Sequence, residues 1–155
     1  MIIKLKQSLL FLIASLTLSL TASAQKEMSI AEVQGDKAKS LVENQQVKVR
    51  GIVTARAGNA IYIQTPDDKV DNNPATSEGI RVFLGRDGSF NGSIGDLVEV
   101  AGTVSEYLER REKFAFTRTD IGRTTIKIIS SKNPLPAPVV LTTNDLVPNK
   151  IDMME

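Results

Sequence analysis

Two stretches of this chain alternate apolar and polar side chains, and each carries a glycine inside the run. In Val47-Lys48-Val49-Arg50-Gly51-Ile52-Val53-Thr54, the two valines alternate with Lys48 and Arg50 until Gly51 puts Ile52 on the opposite parity. The second stretch, Asp96-Leu97-Val98-Glu99-Val100-Ala101-Gly102-Thr103-Val104, has its glycine near the far end. Alternation with a period of two marks a half-buried strand. A glycine within such a strand marks a bulge or a sharp bend. Small barrels use such a bend to carry one strand across both of their sheets. A chain with two of them is constrained towards a closed β architecture.

Three further runs complete the pattern. Gly58-Asn59 is a turn signal that joins the first strand to Ala60-Ile61-Tyr62-Ile63-Gln64, its natural hairpin partner. A polar loop from Pro66 to Glu78 leads to Gly79-Ile80-Arg81-Val82-Phe83-Leu84, where Ile80, Val82 and Leu84 share one face and Arg81 and Phe83 the other. Gly85 to Gly95 reads as a loop, and Arg110 to Arg123 as a charged excursion before the last strand, Thr124-Thr125-Ile126-Lys127-Ile128-Ile129-Ser130. Ser29 to Val33 reads as a short strand or turn, and Ser40 to Asn44 as a polar approach segment. Five strands with little helix predict an all-β domain, a five-stranded Greek-key barrel of the OB-fold type. The domain is expected over residues 25–133. Pro134, Pro136 and Pro138 stop regular structure, so residues 134–155 read as a proline-containing linker or tail.

The start of the chain reads as an address. Lys4 and Lys6 precede an apolar stretch from Leu9 to Leu20, and Ala22-Ser23-Ala24 supplies a small-x-small cleavage site. That is the pattern of a secretory signal peptide over residues 1–24, and the stretch is short for a membrane-spanning helix. A secreted or periplasmic product is expected. The formal net charge is +1, with 19 basic and 18 acidic residues. Cleavage would remove two lysines and no acid, so a polycationic coat for nucleic acid is excluded and any electrostatic site must be a local patch. The chain has no cysteine and no histidine. Disulfides, thiolate metal sites and histidine-based catalysis are thereby excluded. No cofactor and no catalytic centre are expected.

Several segments, in order, resemble the N-terminal OB-fold module of bacterial extracellular nucleases of the endonuclease/exonuclease/phosphatase superfamily. They are Ile30-Ala31-Glu32-Val33-Gln34-Gly35, Val49 to Thr54, Ile61 to Gln64, Thr76 to Phe83, Gly95 to Tyr107, and Leu135-Pro136-Ala137-Pro138-Val139. The resemblance implies a nucleic-acid-binding barrel joined to a downstream catalytic domain. It implies no nuclease activity for this chain, which lacks the histidines and the acidic clusters of that catalytic domain.

An OB barrel grips single-stranded DNA or RNA through a positive groove for phosphates and exposed rings that stack on bases, on the face of its second and third strands. If Ile61, Ile63, Ile80, Val82 and Leu84 point inward, then Tyr62, Gln64, Arg81 and Phe83 point outward and form the expected binding set. Arg86 and Tyr107 extend it at the ends of the third and fourth strands. The excursion contributes a second set, Arg110, Arg111, Lys113, Phe114, Phe116 and Arg118, in which cations interleave with rings; a solvated hairpin paired with Glu106, Glu109 and Glu112 is the equal alternative. The acidic loop from Asp67 to Asn73 lacks the glycine and distal glutamate of a calcium loop and reads as a solvated turn. Exported OB barrels also hold oligosaccharides, peptides or small cationic ligands, which is the alternative reading of function.

Overall fold

The computed structural model describes residues 25–108, 117–138 and 140. Its elements are β1 (Lys26–Glu27), α1 (Ile30–Gln34), β2 (Gln46–Ala57), β3 (Ala60–Gln64), a 3₁₀ turn (Asp67–Lys69), β4 (Gly79–Phe83), β5 (Leu97–Tyr107) and β6 (Arg118–Ser130). The strands bond in the order β1-β2-β3-β4-β6-β5, and β2 also pairs with β5. The five strands β2 to β6 therefore close into a ring. All the ring pairings are antiparallel except β4 with β6, which run parallel at Arg81↔Asp120 and Val82↔Ile121. This is the Greek-key connectivity of an OB-fold barrel.

The bend in β2 is where the ring turns its corner. Residues Gln46 to Ile52 pair with β5, and Ile52 to Ala57 pair with β3, so Ile52 belongs to both ladders. The break in register falls between Val53 and Ala55 rather than at Gly51. Gly51 stays paired with Val98, and it is glycine for want of room: a Cβ there would lie 3.0 Å from Ile30 Cδ1 and 3.1 Å from the Gln64 carbonyl oxygen. Gly102 is tighter, since a Cβ would come within 2.6 Å of Ile121 Cγ2 and 2.7 Å of the Gly122 oxygen.

The core is largely β-branched, which suits a pleated, half-buried surface. Val47, Val49, Val53, Ile61, Ile63, Val82, Val98, Val100, Val104 and Ile121 are all fully or almost fully buried. Phe90 enters from the loop between β4 and β5, and Arg56 holds that loop by donating to the Phe90 and Gly92 carbonyls at 2.8 and 2.9 Å.

Two expectations from the sequence are corrected. Residues Ile30–Gln34 form a helix, not a strand or turn. Ser29 Oγ accepts from the Glu32 amide at 3.0 Å, and Glu32 Oε2 accepts from the Ser29 amide at 2.7 Å, a reciprocal capping box. The helix ends at Gly35, with φ +73°, and buries Ile30 and Val33 completely in the core. The last strand starts at Arg118, six residues before the expected Thr124. A register shift opposite Ala101 and Thr103, with Arg123 at φ +51°, divides β6 and hides its first half from any alternation test. Past β6, Asn133 donates twice to the Gly95 carbonyl and the Ala137 amide donates to the Asp67 carboxylate. Residues 133–137 thus lie against the barrel beside the 3₁₀ turn.

Candidate nucleic-acid interface

On β3 and β4 the period of two sorts the side chains as expected. Ile61, Ile63, Ile80 and Val82 are buried, whereas Tyr62 is exposed and Gln64, Arg81 and Phe83 are partly covered. Tyr62 stands opposite Arg81 in the antiparallel ladder, so a ring and a guanidinium are cross-strand neighbours on the outer face.

Two further strands, β6 and β5, complete the cluster. Asp120, on β6, accepts from Arg81 Nη1 at 2.6 Å and from Arg118 Nε and Nη2 at 2.9 and 3.3 Å. The Asp120 side chain is only 5% exposed, against 15% for Arg81 and 39% for Arg118. Each guanidinium also lies over a ring: Arg81 is 5.4 Å from the Phe83 centroid and Arg118 is 5.1 Å from that of Tyr107. These are cation–π distances. Hydrogen bonding to Asp120 raises the Arg118 pKa above the ordinary guanidinium value, despite its partial burial, so this cation is present at every accessible pH. Two cations share one carboxylate, and the cluster carries a net positive charge.

Beside this cluster is a cleft of about 250 Å³ whose lining includes Tyr62, Gln64, Arg81, Arg118, Thr119 and Gln34. Two other hollows lie elsewhere. One, of about 440 Å³, lies between the 3₁₀ turn and Pro134 to Pro136; the other, of about 280 Å³, lies between Phe90 and the far half of β6. Neither lining pairs a cation with an exposed ring.

The structure thus brings together Tyr62, Gln64, Arg81, Phe83, Tyr107 and Arg118. Arg81 and Phe83 are less open than the alternation alone implied, because Asp120 draws the guanidinium inward, where it lies over the ring. Arg86 is exposed in the turn after β4. Arg110, Arg111, Lys113, Phe114 and Phe116 lie outside the described residues. Two contributors escaped the sequence reading. Asp120 was hidden inside the charged excursion, although Arg118-x-Asp120 has the spacing that puts both on one face of a strand. Gln34 came to the cleft through a helix that was not expected. In the acidic loop Asp71 accepts from the Asn73 amide at 2.7 Å and from the Thr76 hydroxyl at 2.8 Å, and Asp67 accepts from the Ala137 amide. Among the described residues no three acidic side chains gather as a metal site would require.

No protein-family model matches the chain, and no curated protein does. Among solved structures, the chain is similar to the aspartyl-tRNA synthetase from Entamoeba histolytica, with 17% identity and a TM-score of 0.42 over 81% of this chain and 25% of that one. It is similar at 12% identity and a TM-score of 0.41 to a protein designated an aspartyl-tRNA synthetase from Leishmania major Friedlin, over 76% of this chain and 24% of that one. The chain spans about a quarter of the length of each.

Proposed function

We propose that this barrel binds single-stranded nucleic acid and serves as the non-catalytic arm of an exported nuclease. The observation that carries the binding reading is the cluster on the outer face. Tyr62 lies across from Arg81, and Arg118 is held by Asp120 and laid over Tyr107. Rings and flat cations on one surface are what unpaired bases and phosphates need: bases stack on the rings, and the guanidiniums answer the backbone. Tyr62, Gln64, Arg81 and Phe83 stand on the second and third strands of the ring, the face OB barrels use for oligonucleotides, and Tyr107 and Arg118 join them from β5 and β6. The absence of histidine and cysteine from the chain favours binding without catalysis. Export rests on the pattern of residues 1–24, and the nuclease link on the ordered resemblance of the segments from Ile30 to Val139.

Fluorescence anisotropy with a short single-stranded oligonucleotide tests the binding. Affinity should rise as salt falls, because each neutralised phosphate releases counterions; an absence of binding at low ionic strength would remove the proposal. Incubation with DNA and magnesium should leave the DNA intact. Export is tested by sequencing the N-terminus of the product recovered outside the cytoplasm, which should begin at Gln25. The nuclease link is read from the coding sequence that follows.

A further inference from the structure

The ring is closed along only part of β6. β4 meets that strand at Arg81↔Asp120 and Val82↔Ile121, and the Thr124 hydroxyl donates to the Phe83 carbonyl at 3.3 Å where β4 ends. From Thr125 to Ser130, β6 has β5 on one side and no described strand on the other. A strand edge left open in this way presents unpaired N–H and C=O groups, a template for a further strand. Its residues, Thr125-Ile126-Lys127-Ile128-Ile129-Ser130, are largely of the β-branched kind that suits a pleated surface. Ile128 and Ile129 are 44% and 45% exposed.

A groove runs beside this edge. It is the hollow of about 280 Å³ beside Phe90, with Thr124, Ile126 and Ile128 on one wall and Leu84, Phe90 and Gly92 on the other. Every second residue of β6 from Thr124 to Ile128 lines it, so it extends along the strand for about 13 Å. The far wall is fixed, because Arg56 lies over the Phe90 ring and donates to the Phe90 and Gly92 carbonyls. A strand laid against β6 would set alternate side chains into this groove. None of the groove residues belongs to the cleft lined by Tyr62 and Arg118.

Charge selects the occupant. From Ile121 to Lys132 the chain carries Arg123, Lys127 and Lys132, all exposed, and no acid. The loop across the groove adds Arg86 against Asp87, and Arg56 stands behind it. Glu99 faces Lys127 from β5 but is bound by Arg50, and Asp96 is taken up by the Ser93 amide. A second copy of the chain would bring the same cations to the same edge. Phe90 is 7% exposed and gives a nucleobase no ring to stack on. We propose that the open edge of β6 is a docking site for an extended acidic segment of another protein, which adds as a strand beside Thr125 to Ser130. Main-chain hydrogen bonds then give the affinity, and the groove and its cations give the specificity.

The test uses the chain with a labelled peptide of about seven residues, a common strand length, alternating valine with glutamate and read by anisotropy. It should bind at least about tenfold more tightly than the same peptide with lysine in place of glutamate. Two further peptides are N-methylated, one on its valines and one on its glutamates. Only one of the two sets turns its N–H groups towards β6, so one methylation should abolish binding and the other spare it. Arg123→Gln and Lys127→Gln should each weaken the acidic peptide severalfold, with the urea midpoint checking that the fold is kept. No binding, equal affinity for the acidic and basic peptides, equal effects of the two methylations, or unchanged affinity in both variants would overturn the proposal. So would displacement of the peptide by a dT tract, which would give the groove to nucleic acid, or self-association that the peptide reverses, which would give it to a second copy.

Discussion

Arg81 and Asp120 are joined at 2.6 Å across the parallel pairing of β4 with β6, the contact that closes the barrel. The pair therefore sits both at the seam of the fold and on the proposed binding face. Removing Asp120 should act in opposite directions on the two. Asp120→Ala leaves two guanidiniums without their carboxylate, and breaking a pair as covered as this costs about 3 kcal/mol. A loss of that size should appear as a lower urea midpoint. The same change leaves one more uncompensated cation on the surface, so the dependence of oligonucleotide affinity on salt should steepen by about one unit of log–log slope.

Tyr62 and Phe83 should separate binding from stability. Tyr62 is 36% exposed, and its ring supports little of the core. Tyr62→Ala should weaken oligonucleotide binding by about 1–3 kcal/mol, the worth of one stacked base, and change stability by no more than about 0.5 kcal/mol. Phe83 is half-buried with the Arg81 guanidinium over it. Phe83→Ala should cost about 2 kcal/mol of stability, less than the full core value because the ring is only partly covered. Paired anisotropy and denaturation curves on the two variants read both effects.

How far the sequence disclosed this site follows from the range of each interaction. The outward set on β3 and β4 was legible because alternation is local: once Ile61 and Ile63 are inside, Tyr62 and Gln64 must be outside. The α1 capping box was equally local, in the spacing of Ser29 and Glu32, and was passed over because a five-residue helix shows too little apolar periodicity. Asp120 was not legible in that way. Its partner Arg81 lies 39 positions earlier in the chain, and the parallel register that joins them is set by ring closure. The bulge at Arg123 concealed even the strand that carries it. The lining of the cleft required both a helix and a strand end, Gln34 and Gly79, to be placed first.

Gly51 and Gly102 should differ in what they tolerate. At Gly102 a methyl would press on the Gly122 carbonyl oxygen at 2.7 Å, an atom of the β6 backbone that cannot move without disturbing the ladder. At Gly51 the nearest atom is the tip of Ile30, at 3.0 Å, which can rotate, although the Gln64 oxygen at 3.1 Å limits the relief. Gly102→Ala should therefore cost about 2–3 kcal/mol and Gly51→Ala about 1 kcal/mol, within the range of overpacked cores. Urea midpoints of the two variants give the order, and a reversed order would contradict the strand crossing as described.

The acid limb of stability should come from two carboxylates. The Asp96 pKa is lowered first by the Ser93 amide, which donates at 2.8 Å, and then by the Ser131 hydroxyl. The Glu99 pKa is lowered chiefly by Arg50, whose Nη2 lies 2.7 Å away. In both cases the folded value lies below the unfolded one, so the unfolded chain binds more protons in acid. The stabilisation is complete above the unfolded values near pH 4 and is lost as pH falls through the folded ones. With no histidine in the chain, stability should be flat between about pH 6 and pH 8, the window in which that side chain would titrate. Urea midpoints should hold over that window and fall below about pH 4. Asp96→Asn should lower the midpoint at neutral pH and shallow the acid decline, since part of what acid removes is already gone. An unchanged acid decline in that variant would show that Asp96 is not among the groups responsible.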